Sequence, residues 1–415
     1  MSERRLRIFY MTSELPYPPV SGGRVRSLAE LSLLSSLDEV SEITVLTLTE
    51  EPVDPKMLTD LGAKVPKARV LAPVFHPIHL KQHKRWIPVV GAVRMSAGLP
   101  YLAAKWISPR VALAISSVLR NDKFDVVYID HLGMCAYLPL VRRLAKRARV
   151  VLEQHNVESD FFKQFADKKK GLLNIAATRE WKAAARYEAA MLESVNAVVA
   201  ISDTDQDAFM HMAPHASCSV VPQVVTFKRT EWSSGRPPRL VYIGNLGWHP
   251  NVEGLDWFAD KVWPRVREKN PRITLRIGGS GLPKGADGKP VVPAAWRRDG
   301  IEVIGFVEDL NAFYTDAAAF LAPILGGSGV RIKVLEAFRG GMPLITTVEG
   351  ALGLPVVHGK HAMVARDAEA FADAVLEVCA SEQLQRTLRE GGYEFLEQQH
   401  GLAKAQKIMR RVLDA

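Results

Sequence analysis

The amino-acid sequence predicts two α/β domains, each built on an open, doubly wound parallel β-sheet. Residues 6–13 form a short β-branched and aromatic run, and a Pro/Gly-rich loop at 15–23 and a helix-prone stretch from Arg24 follow it. A strand, a glycine loop and a helix in this order open a Rossmann-like domain. After a Pro-, Ser- and Gly-rich break at residues 228–238, the same pattern starts again at Arg239.

Short apolar segments of strand character alternate with helical patterns in both halves of the chain. A helix is expected at residues 174–193, which are rich in Ala, Arg and Glu. We expect an N-terminal domain over residues 1–230 and a C-terminal domain over 237–394, with a terminal helix at 395–415 rejoining the first domain. Strands are predicted at 42–48, 125–129, 149–153, 197–201 and 219–221, and then at 239–245, 273–277, 302–304, 320–322 and 344–346.

The position of a binding site follows from this architecture. Ligands of open parallel sheets bind beyond the carboxyl ends of the strands, so two such domains joined by a hinge are expected to face a central cleft. His155 comes two residues after a predicted strand and is a candidate ligand contact; a purely structural histidine is the alternative. Further candidates in strand-end loops and helices are His131, Glu188, Trp248 and His249.

The positive charge of the chain is concentrated in one segment. The 415 residues include 54 Lys+Arg and 45 Asp+Glu, a formal net charge of +9. Residues 61–121 hold ten basic residues and no acidic one, so the rest of the chain is nearly neutral. Basic residues interleaved with Trp86 and Trp106 suit an anionic membrane surface. A solvated face that lacks acids is the alternative.

The cysteines and the N-terminus indicate the compartment. Cys135, Cys218 and Cys379 are odd in number and far apart, which favours a reducing cytosol over a disulfide framework. None has CxxC spacing, so we predict no metal site. We find neither a secretory signal nor a membrane span. The expected location is cytoplasmic, with a peripheral contact at the inner face of the cell membrane.

The loop at residues 324–343 is the richest in candidate residues. Gly327 and Gly329 let backbone amides approach an anion, and the N-terminus of the helix expected after them adds partial positive charge. Arg331 and Lys333 follow at once and suit a diphosphate. The alternative is a glycine-rich turn with two surface cations.

Two further features of this loop narrow the ligand. Glu336 lies in the first turns of the expected helix, where its carboxylate could accept hydrogen bonds from the vicinal diol of a ribose. The chain contains neither the GxxxxGK[ST] spacing of a P-loop nor the GxGxxG spacing of a dinucleotide-binding loop. Both ATP hydrolysis and simple dinucleotide binding are therefore disfavoured.

The loop at 324–343 resembles the donor-binding signature of retaining glycosyltransferases of the GT-B fold, especially glycosyltransferase family 4. The resemblance extends over nearly the whole chain, because six other segments occur in the order of that family. These segments are residues 16–26, 153–158, 199–203, 242–251, 278–281 and 305–310. It implies two Rossmann-like domains and a nucleotide-diphosphate-sugar donor.

The resemblance also implies roles for single residues. Glu336 matches the second glutamate of the family's E-x7-E pattern and would hold the nucleotide ribose. His155 matches a histidine near the reacting carbon of the transferred sugar, and Arg331 and Lys333 would stabilise the diphosphate. The other donor-binding positions that it implies are Gly22, Gly23, Gly244, Phe306, Val307, Gly327, Ser328 and Gly329.

Two departures from the family pattern are visible. Ser328 stands where the family has the first glutamate, which helps to hold the sugar, so the donor sugar is left open. The usual Pro-Asn-Gly-Val at the end of the first domain is Pro-Gln-Val-Val at residues 222–225.

We therefore expect a metal-independent and cofactor-free glycosyltransferase of polysaccharide or glycoconjugate biosynthesis. It would transfer a sugar, with retention of configuration, to a hydroxyl of a glycan or lipid-linked acceptor. A nucleotide-sugar epimerase or hydrolase on the same fold is one alternative. A non-catalytic protein that binds sugar nucleotides or polyanions is another. Nucleic acid is not an expected partner, because the diphosphate loop would have no role there.

Overall fold

The structure is a computed structural model that describes residues 5–77, 91, 98–229, 237–283, 285, 290–326 and 332–414. The chain divides into two compact units: unit 1 is Met1–Val224 with Leu402–Ala415, and unit 2 is Val225–Gly401. The domain bounds predicted from the sequence assign residues 225–229 and 395–401 to the first domain. These residues lie instead in unit 2, because Phe227 stacks on Tyr393 at 5.1 Å and because Phe395 belongs to the core of that unit.

Unit 1 contains a seven-stranded parallel sheet in the order β4-β2-β1-β6-β7-β8-β9 and a two-stranded sheet of β3 and β5. Its strands are β1 Leu6–Thr12, β2 Val40–Leu46, β3 Leu48–Thr49, β4 Ala68–Val70, β5 Val74–Phe75, β6 Val126–Asp130, β7 Arg149–Glu153, β8 Ala197–Ala200 and β9 Cys218–Val220. Its helices before the chain leaves for unit 2 are α1 Gly22–Ser35, α2 Pro55–Lys64, α3 Tyr101–Ala104, α4 Pro109–Asn121, α5 Leu138–Leu144, α6 Glu158–Asp167, α7 Gly171–Ser194 and α8 Asp203–Met212, with a 3₁₀-helix at Leu132–Tyr137.

Unit 2 contains a six-stranded parallel sheet in the order β12-β11-β10-β13-β14-β15. Its strands are β10 Arg239–Ile243, β11 Thr274–Gly278, β12 Ile301–Gly305, β13 Ala317–Ala322, β14 Leu344–Thr347 and β15 Met363–Ala365. Its α-helices are α9 His249–Trp257, α10 Trp263–Lys269, α11 Leu310–Tyr314, α12 Ile332–Arg339, α13 Val348–Ala351, α14 Ala368–Ala380 and α15 Glu382–His400, with a π-helix at Phe258–Val262 and a 3₁₀-helix at Ala294–Trp296. The last helix, α16 Leu402–Asp414, belongs to unit 1.

Both faces of the unit 1 sheet are buried, as expected for a parallel sheet with helices on each side. In β1, Phe9 and Met11 belong to one hydrophobic cluster, whereas Ile8 and Tyr10 belong to the cluster on the other face. Helix α16 covers the second face, where Met409 is fully buried. The chain thus returns to unit 1 to complete its core.

The predicted fold class is confirmed for each unit, and every predicted strand overlaps an observed one. The strand predicted at 149–153 has the same bounds as β7. The helix expected at 174–193 lies within α7. The terminal stretch, expected to be one helix, is two helices that meet at Gly401, where a Cβ would lie 2.6 Å from the carbonyl oxygen of Glu397. Among the described residues, no helix has the length and apolar character needed to cross a membrane.

Candidate functional site

In unit 1, ionisable side chains lie close together where the strand order of the sheet reverses. Strands β1 and β6 are neighbours at the centre of the sheet, with β2 next to β1 and β7 next to β6. Because the strand order reverses between β1 and β6, a crevice is expected past the carboxyl ends of these two strands. Helix α1 begins next to this point, and the Ser21 side chain caps it by accepting a hydrogen bond from the Arg24 amide at 3.3 Å. Gly22 and Gly23 are its first two residues.

The structure brings Gly23 together with two histidines. A Cβ on Gly23 would lie 3.8 Å from His131 Nε2 and 3.9 Å from His155 Nδ1. It would also lie 3.4 Å from Glu14 Oε1. The two imidazole rings have centroids 4.0 Å apart. The missing side chain of Gly23 therefore leaves an opening in front of both rings.

His155 is paired with an aspartate that ends the neighbouring strand. Its Nε2 lies 2.7 Å from Oδ1 of Asp130, and Ser27 donates a hydrogen bond to the other carboxylate oxygen at 2.6 Å. Burial opposes ionisation of Asp130, but the imidazole of His155 outweighs it and holds the pKa of the carboxyl well below its ordinary value. Burial lowers the pKa of His155, and the attraction of Asp130 more than reverses this, so the pKa is raised. The ion pair with Asp130 therefore favours the protonated form of the His155 imidazole.

His131 behaves in the opposite way. Its backbone has φ of 86°, in the left-handed region that is uncommon for residues other than glycine. Burial and then the neighbouring His155 lower the pKa of His131 to about 3, so this imidazole is neutral. The site thus contains a neutral imidazole next to one whose protonated form is favoured by Asp130. Backbone strain of this kind is concentrated at functional sites.

A buried ionic network lies under the paired histidine. Arg26 Nε lies 2.6 Å from Oε1 of Glu153, and its Nη2 lies 3.1 Å from Oε2 of Glu30. Tyr128 donates a hydrogen bond to Glu30 at 2.7 Å. Burial and the repulsion of Glu30 raise the pKa of Glu153 to about 8. One guanidinium thus lies between two buried carboxyl groups, one on α1 and one at the end of β7.

Glu188 supports the same loop from helix α7. Its carboxylate accepts hydrogen bonds from the Glu158 amide and the Ser159 amide, each at 2.9 Å, and from Gln154 Nε2 at 3.1 Å. These amides belong to the first turn of α6, which has no partner for them within the helix. Burial raises the pKa of Glu188 to about 7. Glu188 therefore caps α6 and positions the residues on both sides of His155.

The chemistry of this cluster also suits a metal ion. Asp130, His131 and His155 offer ligand atoms that lie within 4.8 Å of one another. Two imidazoles and a carboxylate are common ligands of Zn²⁺ and other divalent ions. Both oxygens of Asp130 already face partners, Ser27 and His155. Nδ1 of His155, by contrast, is buried without a hydrogen-bond partner among the described residues.

In unit 2 the strand order, counted along the chain, is 3-2-1-4-5-6, which is the order of dinucleotide-binding Rossmann sheets. Its reversal point lies between β10 and β13. Gly244 follows β10 directly, and a Cβ there would lie 2.5 Å from Lys333 Nζ. Lys333 donates a hydrogen bond to the Ile243 carbonyl oxygen at 2.7 Å, and its Nζ lies 4.3 Å from the centroid of the Tyr242 ring. Two predicted site residues thus meet where a ligand is expected.

The electrostatics of Lys333 are unusual for a surface cation. Burial lowers the pKa of its ammonium to about 7, although Glu336 partly counteracts this. Glu336 itself is a quarter exposed and lies 3.2 Å from Arg339 Nη1. Among the described residues, no carboxylate forms an ion pair with Lys333. Its charge is therefore available to an anion that enters this position.

The strand-end loops next to β10 carry the other unit 2 candidates. Phe306, directly after β12, has 73% of its surface exposed, whereas Val307 lies against Gly278, where a Cβ would come within 2.6 Å of it. Trp248 and His249 are both exposed at the start of α9. Gly327, Ser328, Gly329 and Arg331 lie outside the described residues.

Solved structures share this architecture over the whole chain. HepE of Anabaena, in complex with UDP and glucose, has a TM-score of 0.63, 13% identity and 99% coverage of both chains. Sucrose-phosphate synthase of Thermosynechococcus elongatus has a TM-score of 0.64, 16% identity and 98% coverage of both chains. A mutant of S. aureus TarM has a TM-score of 0.67 and 10% identity, with 99% of this chain and 100% of TarM covered. Such similarity identifies the GT-B fold.

The sequence matches two families of the same kind. Residues 60–229 match Glycosyltransferase Family 4, and residues 237–381 match Glycosyl transferases group 1. The two matches together span 315 of the 415 residues. This chain belongs to the GT-B glycosyltransferases. The glycosyltransferase is also 24% identical over 406 residues to an uncharacterised 44.6 kDa protein in the cps region of Klebsiella pneumoniae, covering 96% of this chain and 97% of that protein.

The unit 1 cluster contains residues that the sequence did not indicate as candidates. Asp130 directly follows the strand predicted at 125–129, and its place at a strand end could have identified it as a candidate. Arg26 and Glu30 have the i, i+4 spacing of an exposed helical ion pair, so nothing in the sequence indicated their burial. Glu188 was a candidate for chemistry, whereas its contacts show a capping role.

Proposed function

We propose that this glycosyltransferase transfers a sugar from a nucleotide-diphosphate sugar to an acceptor hydroxyl. The observation that carries the proposal is the enclosed ammonium of Lys333 beside Gly244, at the reversal point of the unit 2 sheet. Nucleotide phosphates bind at this position in sheets of the same strand order. Burial disfavours the charged ammonium of Lys333, and an anion beside it would favour that charged form.

The proposed reaction relies on charge supplied by the chain. Breaking the bond between sugar and phosphate leaves negative charge on the departing diphosphate. Lys333, Arg331 and the amides of Gly327 and Gly329 stabilise that charge in this proposal. A preorganised donor of this kind lowers a barrier by about 2.7–4 kcal/mol. Neither a metal nor a cofactor is then required for transfer.

In unit 1, His155 is proposed to contact the transferred sugar, and Gly22 and Gly23 the donor phosphates. The pairing of His155 with Asp130 supports this, because Asp130 favours the protonated imidazole, which donates hydrogen bonds and is not a base. In a retaining front-face reaction the departing phosphate accepts the acceptor's proton, so the chain needs no base. We therefore propose transfer with retention.

The nucleotide is proposed to lie along the strand ends of unit 2. Glu336 would accept the ribose hydroxyls, Ser328 would contact the sugar, and the exposed Phe306 ring, with Val307 beside it, would meet the base. HepE, which shares this fold, has been solved with UDP-glucose. UDP-sugars are therefore the first donors to test.

The acceptor is proposed to be a glycan or a lipid-linked hydroxyl compound. A TarM structure of the same fold contains α-GlcNAc-glycerol and UDP, which supports a glycosylated acceptor. The basic segment at 61–121 is proposed to contact an anionic membrane at its cytoplasmic face. Residues 78–90 and 92–97 of this segment lie outside the described residues.

A thermal-shift screen across UDP-, GDP- and TDP-sugars tests the proposed donor. Ligand stabilisation grows as RT ln(1 + [L]/Kd), so the true donor should raise the unfolding temperature most. Lys333→Met should lose this shift, whereas Lys269→Met, which alters an exposed lysine of unit 2, should keep it. Equal shifts in the two variants would contradict the proposed diphosphate site.

Product analysis separates the proposed transfer from the other reactions considered. Incubation of the best donor with and without candidate glycan acceptors should yield a new glycoside only when an acceptor is present. Free sugar or an epimerised donor without acceptor would overturn the proposal in favour of a hydrolase or an epimerase. Nuclear magnetic resonance of the anomeric proton in the product tests retention.

A further inference from the structure

Five large apolar side chains are exposed within fifteen residues of unit 1. The exposed fractions are 68% for Phe161, 49% for Phe165, 84% for Leu172, 69% for Leu173 and 52% for Ile175. We call these five residues the hairpin patch, because they lie on α6 and at the start of α7. They are a third of the large apolar side chains exposed among the described residues. Single exposed apolar residues are ordinary, but a cluster indicates an interaction surface.

The hairpin that carries the patch is ordered by its other side. Phe162 packs against the hydrophobic core of unit 1, and Ala166 is buried. Asn174 Nδ2 donates a hydrogen bond to the Ala166 carbonyl oxygen at 2.9 Å, which ties α7 to the end of α6. Gly171 turns the chain between them with φ of 61°. Because the hairpin is held from within, the patch itself is free to contact a partner.

Positive charge is concentrated at the turn of the hairpin. Residues 158–180 include five basic and four acidic residues, and three of the basic ones, at positions 168–170, are consecutive. The ammonium of Lys169 lies 4.5 Å from the centroid of the Phe165 ring. Lys168 and Lys170 are exposed on either side of it. Apolar side chains with lysines beside them are complementary to a partner that has an apolar interior and an anionic outer layer.

We propose that the hairpin patch inserts into the surface of an anionic lipid bilayer. Large apolar side chains would enter the boundary between headgroups and acyl chains, while the lysines remain at the level of the phosphates. Each lysine near an anionic surface adds attraction, and three successive lysines lie at the turn of the hairpin. The contact lies on the surface, because no described helix could span a bilayer.

Docking through this patch would hold the unit 1 site near the lipid. Helix α6 begins at Glu158, three residues after His155. Its ten residues rise about 1.5 Å each, so the two patch residues on this helix, Phe161 and Phe165, lie within about 15 Å of its start. A sugar on a short lipid-linked carrier could reach that distance. The inference concerns lipid binding alone, so it holds or fails independently of the proposed transfer reaction.

Vesicle co-sedimentation tests the proposal with the full chain. The probes are vesicles of phosphatidylcholine and vesicles in which part of it is replaced by phosphatidylglycerol. Leu172→Ser with Leu173→Ser removes apolar contact, and Lys168→Glu with Lys170→Glu reverses charge. The matched controls in unit 1 are Leu402→Ser, an exposed leucine at the start of α16, and Lys146→Glu with Arg147→Glu. All four variants alter exposed side chains, so their unfolding temperatures should match that of the parent protein.

The parent protein should bind the anionic vesicles only, and less tightly at high salt. The leucine pair should weaken binding at least about tenfold and the charge pair at least about 30-fold, while both controls bind as the parent does. Unchanged binding by the two hairpin variants would overturn the proposal. Abolition of binding only by replacements of Lys81, Lys84 and Arg85 in the basic segment would also overturn it. The proposal would also be overturned if the variant Leu172→Ser with Leu173→Ser changed the oligomeric state, measured by light scattering, but not vesicle binding.

Discussion

The ammonium of Lys333 lies 2.7 Å from the carbonyl oxygen of Ile243, within the strand ends of unit 2. The sequence predicted a lysine near a helix N-terminus that suits a diphosphate, with an ordinary surface cation as the alternative. In the structure, burial lowers the pKa of this lysine to about 7, so its charge varies within the physiological pH range. Only a charged Lys333 attracts a diphosphate, and this has a measurable consequence.

Affinity for the donor should fall as the pH rises. Below pH 7 Lys333 is charged in the free protein, whereas above it the lysine must take up a proton to bind the anion. We expect the dissociation constant of a nucleotide sugar to rise up to about tenfold per pH unit above pH 7, until the pKa of the bound state is reached. Calorimetry in two buffers of different ionisation enthalpy measures both the affinity and the proton uptake. Lys333→Met should abolish the pH dependence, and a flat profile in the parent protein would contradict it.

Gly23 lies where a side chain would contact both histidines of the unit 1 cluster. Gly23→Ala would place a methyl group in front of His131 and His155 at ordinary contact distances, so the protein should still fold. Alanine is the better helix former, and the free energy of unfolding should be unchanged or higher by up to about 1 kcal/mol. Turnover and donor binding should nevertheless fall, because the methyl group fills the opening. Gly62→Ala on α2, with nothing within 4 Å, is the matched control and should keep full activity.

Helix α6 depends on a side chain from another helix. Glu188 on α7 accepts two amides from the first turn of α6 and the amide of Gln154. Glu188→Ala leaves these donors buried without a partner, which should cost about 1–3 kcal/mol of unfolding free energy. Denaturant titration measures this loss. Glu193→Ala, at an exposed position of the same helix, should cost far less; equal losses would contradict the capping role.

The elements of this chain differ in how well the sequence predicts them. Apolar runs such as 149–153 predicted the long central strands, because burial on both faces demands continuous apolar residues. Strands β4 and β15 have three residues each and no distinguishable pattern, so they were missed. The break at Gly401 was also missed, because a helical pattern continues on both sides of it. In such short or interrupted elements, tertiary packing outweighs local preference.

The functional residues show the same limit. Strand-end position and family resemblance identified His155, Gly23, Gly244 and Lys333 as candidates. Sequence spacing could not reveal that Gly23 adjoins His155, since 132 positions separate them along the chain. It also could not reveal that Arg26 and Glu153 form a buried pair. Such contacts depend on how β1, β6 and β7 lie next to one another in the sheet.

Helix α16, at the end of the chain, completes the hydrophobic core of unit 1, whose other residues come from the part of the chain before unit 2. Met409 is fully buried against the face that carries Ile8 and Tyr10, and Arg410 lies 2.7 Å from Glu39. Met409→Ala should therefore destabilise unit 1 by about 2–5 kcal/mol. Hydrogen exchange should become faster in β1 and β2 but not in β10 and β13. Lys407→Ala on the exposed side of α16 should change neither; faster exchange throughout both units would contradict a local effect.

The position of α16 has a consequence for synthesis. The ribosome releases every strand of unit 1 and then all of unit 2 before it releases Leu402 and the residues that follow. During that interval Ile8 and Tyr10 lack the helix that covers them in the finished protein. Exposed apolar surface of this kind recruits chaperones and proteases. We therefore expect a chain whose translation stops within unit 2 to leave this face of the unit 1 sheet uncovered.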